Sequence, residues 1–233
     1  MLKNVRLKPP FFEIGPKAYL YGEEMLKLAK VIDKTAMKYD VDVMVTPQYT
    51  DIKLLADNTE RIWVFAQHMD CLYPGRGLGS VLPEAVKAAG AKGVMLNHAE
   101  KPISLETIEK TIRRAEENEL LTIVCANTVE DVKTIAKMSP DMIVAEPTEL
   151  IGTGTTSDSN YVIETIRTVR EINPDIMVLQ GAGISNGKDV YDTIKLGAEA
   201  TGTTSGIMKS DRPYEMVEEM LYNLRKAWDE LHP

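Results

Sequence analysis

Met142-Ile143-Val144-Ala145-Glu146-Pro147-Thr148-Glu149-Leu150-Ile151-Gly152-Thr153-Gly154 is the stretch from which the rest of the chain can be read. A strand-like apolar run delivers one carboxylate, Glu146, to a strand end. A segment opened by Pro147 and closed by Gly152 and Gly154 follows at once, as an active-site lid would.

Outward from that stretch the same alternation repeats to both ends. Short β-rich runs are expected at 11–14, 41–45, 62–66, 93–96, 121–125, 142–145, 176–179 and, less strongly patterned, 198–203. Helical patterns lie between them, at 23–39, 83–89, 104–118, 129–138, 160–172, 187–196 and 213–231. Start signals mark several of these: Ser104, Asp158 or Ser159, and Pro213 at an early helical position. In the 104–118 helix, Leu105, Ile108, Ile112 and Ala115 fall on one face, predicted to be buried, with Glu109, Lys110, Arg113 and Arg114 between them. Residues 51–59 are poor in apolar side chains and interrupted by Asn58, so something short is expected there. Eight βα units predict a (β/α)8 barrel of eight parallel strands, forming a single domain over residues 1–233. An open doubly wound sheet is the alternative, but its usual nucleotide fingerprint after the first strand is absent.

Composition limits the function. Of the 233 residues 44% are hydrophobic and 27% charged, which is ordinary for a soluble globular chain. No apolar run approaches the roughly 20 residues that span a bilayer. The N-terminal charges Lys3, Arg6 and Lys8 have no apolar segment behind them, so no signal peptide is expected and the cytoplasm is the default location. A net charge of −8 argues against a nucleic-acid partner, since such binders need a basic footprint. It leaves a small anionic substrate open, because that responds to local donors. Cys71 and Cys125 lack metal-ligand spacing and are expected to be free thiols. Neither a metal nor a cofactor is expected.

In a parallel barrel the chemistry sits beyond the C-terminal strand ends. There the sequence places Gly15-Pro16-Lys17, Asn97-His98-Ala99-Glu100, Glu146, Gly181-Ala182-Gly183-Ile184-Ser185 and Thr204-Ser205-Gly206. An ammonium, an imidazole, a carboxylate and two Gly/Ser loops share one rim. Each has a plainer reading: a surface glutamate, a histidine satisfying a carbonyl, a rim charge. His68 also follows a strand, and His232 lies in the C-terminal tail.

Leu96-Asn97-His98-Ala99-Glu100, Ala145-Glu146-Pro147 with Ile151-Gly152-Thr153-Gly154, and Gly181-Ala182-Gly183-Ile184-Ser185 resemble the motifs of the triosephosphate isomerase family, most closely its short archaeal branch. The resemblance covers nearly the whole chain. It implies aldose–ketose isomerisation of a small phosphorylated sugar, between glyceraldehyde 3-phosphate and dihydroxyacetone phosphate, through an enediolate. By that resemblance Glu146 is the base and His98, as a neutral ring, polarises the carbonyl and shuttles protons. Lys17 supplies positive charge, and Glu100 supports that lysine. Gly152, Gly183, Ser185, Ser205 and Gly206 offer N–H groups to the phosphate, and 148–154 is the closing lid. A homodimer or homotetramer is also implied, with the Gly-rich loop 73–79 docking beside a neighbouring subunit's site.

Two departures bear on the substrate. Gly15 stands where the family normally has an asparagine, and Ala99 where a serine usually follows the histidine. A smaller residue at Gly15 leaves room for a tetrulose or other longer phosphorylated ketose. From other classes, a non-catalytic phosphate-binding barrel, or a Schiff-base enzyme using Lys17, remains open.

Overall fold

A computed structural model describes residues 7–233; Lys3 and Arg6 lie outside the described residues. Eight parallel strands close into a barrel in chain order: β1 Phe11–Ile14, β2 Asp42–Val45, β3 Trp63–Ala66, β4 Gly93–Leu96, β5 Leu121–Ala126, β6 Met142–Ala145, β7 Met177–Gln180 and β8 Ala200–Thr203. Pairing of β1 with β8, from Phe11 opposite Ala200 to Ile14 opposite Thr203, removes both sheet edges and excludes the open sheet. The helices are α1 Gly22–Tyr39, α2 Ile52–Ala56, α3 Pro83–Ala88, α4 Leu105–Glu117, α5 Val129–Ala136, α6 Ser159–Ile172, α7 Gly187–Lys195, α8 Ser205–Met208 and α9 Pro213–Leu231.

Alternation along the strands divides the core in two. Phe11, Met44, Phe65, Ile123, Met142, Val144 and Leu179 fill the barrel interior. Phe12, Ile14, Val43, Val45, Val64, Leu96, Ile143 and Val178 face outward, against the helices. Because neither strand face meets water, the strands read as nearly continuous apolar runs.

The helix starts follow local chemistry. The Ser104 hydroxyl accepts from the Thr107 N–H, Asp158 caps α6 through the Asn160 N–H, and Thr128 with Asp131 forms a reciprocal capping box on α5. The weak 51–59 segment forms a short turn at Tyr49–Asp51 followed by the five residues of α2. The buried face of α4 differs from the expected one. Leu105 is 51% exposed, whereas Arg114 is buried beside Ile108, Thr111 and Ala115. The guanidinium is tolerated there because Glu84 meets it at 2.6 Å, Glu117 at 2.5 Å and the Leu72 carbonyl at 3.2 Å, while its plane covers the Tyr73 ring.

Candidate active site

Strand β6 ends at Ala145, and Glu146 is the next residue on the inward-facing side of the barrel. Its N–H donates to the Ala126 carbonyl at 2.9 Å, which prolongs the ladder by one bond and fixes where the side chain starts. The carboxylate then accepts the Ala182 N–H at 2.9 Å through Oε1. Two backbone features allow that contact. A Cβ on Gly181 would come within 3.0 Å of the Glu146 side chain, and Ala182 holds a left-handed φ of 73°. Burial pushes the Glu146 carboxyl above its ordinary 4.5; Lys17 and the Ala182 N–H act in the opposite direction. The group is therefore a carboxylate with raised basicity, little hydrated.

His98 follows β4 through Asn97, whose φ of 57° turns the chain sharply out of the strand. Asn97 secures that turn by donating to the Cys125 carbonyl at 3.0 Å and accepting the Ile103 N–H at 3.1 Å. The Glu100 N–H donates to His98 Nδ1 at 3.1 Å. Nδ1 is thus an acceptor, so the ring carries its proton on Nε2. Burial lowers the His98 pKa, and the nearby Lys17 charge lowers it further. A neutral imidazole with an Nε2–H donor is the result.

Lys17 has a left-handed φ of 48°, a conformation that needs support in a residue with a side chain. Gln48 and Gln67 both donate to its carbonyl, at 2.6 and 2.9 Å, and Gln67 also reaches the Thr46 carbonyl at 3.0 Å. Lys17 Nζ lies 2.6 Å from Glu100 Oε1, which holds the Glu100 carboxyl below its usual range. Lys17, Glu100, His98 and Glu146 all line one cavity of about 580 Å³ at the barrel mouth.

The expected phosphate-binding residues divide. Gly152, Gly183 and Ser205 line the same cavity. Ser185 instead turns both its N–H and its hydroxyl toward Asp189 Oδ2, at 2.9 and 2.7 Å. The Gly206 N–H is directed to Thr203 Oγ1 at 3.2 Å. The lid holds a turn at Thr148–Leu150, anchored where the Thr148 N–H meets Asn127 Oδ1 at 2.9 Å, and residues 152–156 are exposed. Its far end touches the seventh loop: a Cβ on Gly183 would lie 1.9 Å from the Thr155 carbonyl oxygen.

His68, which also follows a strand, reaches the cavity, and so do side chains not singled out in the sequence: Gln67, Tyr19, Thr46 and Lys209 line it, as does Glu13 from the middle of β1. The signal for Glu13 was present: it is a lone acid in a strand otherwise apolar and buried on both faces. Its carboxyl also changes the reading of Gly15. A Cβ at Gly15 would meet Glu13 Oε1 at 2.9 Å and Thr204 Oγ1 at 3.2 Å, so the Glu13 carboxyl and the Thr204 hydroxyl border the space that Gly15 leaves. Ala99 is exposed. Cys125 is buried and lines the cavity, and burial beside Glu146 and Glu13 pushes its thiol well up, leaving it unreactive.

A carboxylate base, a neutral ring donor and an ammonium around one sheltered cavity suit proton transfer at carbon. Together with the closed sheet they place the protein among the (β/α)8 isomerases. Comparison with known proteins narrows this. The family model for triosephosphate isomerase matches residues 14–220. Triosephosphate isomerase from Methanothermus fervidus is 40% identical over 203 residues, covering 86% of this chain and 91% of that protein. The Sulfurisphaera tokodaii enzyme of the same name is 39% identical over 227 residues, covering 96% of this chain and 99% of that one. Among solved structures, triosephosphate isomerase from Bartonella henselae superposes with a TM-score of 0.75 at 15% identity, over 95% of this chain and 99% of that chain, a likeness of fold. The chain belongs to the triosephosphate isomerase family.

Proposed function

We propose that this barrel interconverts glyceraldehyde 3-phosphate and dihydroxyacetone phosphate through an enediolate. The observation that carries the reading is Glu146, held by the Ala182 N–H and opening on the same cavity as the neutral His98 ring and the Lys17–Glu100 pair. Glu146 takes the proton from the carbon beside the carbonyl. The C–H electrons form the carbon–carbon double bond, and the former carbonyl oxygen takes up negative charge. His98 Nε2–H hydrogen-bonds to that oxygen and passes a proton between the two oxygens. Protonated Glu146 then returns its proton to the neighbouring carbon, and the carboxylate is regenerated. Lys17 stabilises the developing oxyanion and the phosphate. Gly152, Gly183 and Ser205 approach the phosphate from the rim, and the 148–154 lid excludes water while the enediolate lasts.

Glu146→Asp draws the carboxylate back by one methylene. Turnover should fall by at least about 100-fold with a modest change in KM, as expected when the base is misplaced but binding persists. Unchanged turnover contradicts the assignment. A longer phosphorylated ketose would have to share the space beside Gly15 with the Glu13 carboxyl, and the Schiff-base reading needs a free amine where Lys17 is paired to Glu100.

Three further features belong to the proposal. Residues 1–233 form one domain, supported by strands drawn from β1 at Phe11 to β8 at Thr203. The chain acts as a homodimer or homotetramer: residues 73–80 are exposed, Leu78 completely, and Asp70 fixes the base of the loop by accepting the Val81 N–H at 2.7 Å. It works in the cytoplasm, in keeping with the absence, among the described residues, of any helix long and apolar enough to cross a membrane.

A further inference from the structure

Glu13 sits where no structural role accounts for it. It is on the inward side of β1, opposite Met44 and Gly202 in the barrel register, and it opens on the cavity that holds Glu146, His98 and Lys17. Its carboxyl lies between two glycines. A Cβ on Gly15 would be 2.9 Å from Oε1, and one on Gly202 would be 2.9 Å from Oε2. The position just past its own strand, at Gly15, and the neighbouring β8, at Gly202, thus omit a side chain where this acid is housed. Thr46 donates to Oε1 at 3.1 Å, and among the described residues it is the one hydrogen-bond partner of the carboxyl. That leaves Oε2 free to face a ligand.

We propose that Glu13 is a further catalytic residue of this isomerase, its carboxyl O–H donating a hydrogen bond to the substrate oxygen on which charge develops. The inference rests on the isomerase reading above. Gly15 lacks the polar side chain usual at that place in the family, and Glu13 occupies the vacated volume, reaching the same region from two residues earlier in the strand. No bond is made or broken at Glu13; its proton stays on Oε2 throughout the cycle.

The charges around it decide which form can work. Facing it are Lys17 from the following loop, Glu146 from the end of β6, Cys125 from β5 and the Thr46 hydroxyl just past β2. His68 and His98 share the cavity. A second carboxylate beside Glu146 would oppose both the enediolate and a phosphate. The neutral acid supplies a donor without that repulsion, as a buried carboxylic acid can in an oxyanion hole. Burial, more than the neighbouring Glu146, pushes the Glu13 pKa up to about 8, so the acid form is retained at neutral pH.

The test is steady-state isomerisation of glyceraldehyde 3-phosphate from pH 6 to 10 by wild type, Glu13→Ala and Glu13→Gln. For wild type, kcat/KM should fall as pH rises through about 8. Glu13→Ala should lose about 100-fold in kcat at neutral pH with little change in KM, the scale of a deleted oxyanion donor. Glu13→Gln, whose amide N–H can donate from the same place, should recover most of that loss and lack the alkaline limb. If Glu13→Ala does not fold, Glu13→Gln still decides, and infrared spectra of the wild type should show one carboxylic-acid band at pH 6 that Glu13→Gln lacks. An alkaline limb that persists in Glu13→Gln, or a Glu13→Ala enzyme with wild-type kcat, overturns the role of Glu13 while leaving the isomerase reading intact. A wild type that does not turn over the triose phosphate overturns both.

Discussion

Glu146 gains its basicity from burial and keeps its aim through one backbone donor. Because desolvation holds its carboxyl above 4.5, the proton it must lose to act as the proposed base leaves at a higher pH than from an exposed glutamate. The acid limb of kcat/KM, read as the loss of activity when pH falls through the free-enzyme pKa, is therefore displaced upward. A pH–rate profile checks this, and an acid limb in the ordinary carboxylate range would contradict it. Glu146, His98 and Lys17 were legible in the sequence because each ends or closely follows a strand, where a single polar side chain has nowhere to go but the rim. Glu13 was not read, since an acid inside an apolar strand looks like an interruption until Gly15, just past the same strand, and Gly202 on β8 are seen to lie beside its carboxyl. The Nε2–H tautomer of His98 depends on a backbone N–H two residues on, which no side-chain pattern records.

At the scale of elements, the lid and the seventh loop are coupled through backbone. Gly183, at a φ of 73°, passes so close to the Thr155 carbonyl that any side chain would collide with it. Gly183→Ala should cost about 1–2 kcal/mol from the left-handed conformation alone. The collision must also displace the far end of the lid, so KM should rise. Urea unfolding together with steady-state kinetics checks both, and a variant of unaltered stability and KM would contradict the coupling. Helix α4 shows where periodicity misleads. Its apolar spacing identified the helix and three of its inward residues, but Arg114 shares the buried face because Glu84, Glu117 and the Leu72 carbonyl receive its donors. Arg114→Ala leaves that carbonyl without its donor and uncovers Tyr73; a loss of about 2–3 kcal/mol is expected in denaturant unfolding. A loss below about 0.5 kcal/mol would place Arg114 among ordinary surface charges.

For the whole molecule, the number and order of strands could be read because a parallel sheet covered on both faces must be written in continuous apolar runs. Closure could not, since pairing of β1 with β8 joins the two ends of the chain and leaves no local mark. Length and the missing nucleotide fingerprint favoured the barrel, and the register decided it. Closure brings Gly202 of β8 against Glu13 of β1 and sets Lys17 across the mouth from Glu146, so the site exists only in the closed sheet. The short α8 was not separated in the sequence as a helix of its own, four residues being too few for a period to show. The rim is proposed to move a proton between the two carbons of a triose phosphate, with Glu146 as the base. The most direct test is to incubate the wild-type enzyme and Glu146→Gln with dihydroxyacetone phosphate in deuterium oxide and follow product and label by NMR. The wild type should form glyceraldehyde 3-phosphate carrying deuterium at the carbon next to the aldehyde, and Glu146→Gln should do neither at a comparable rate; equal conversion by the two, or none by the wild type, would contradict the account.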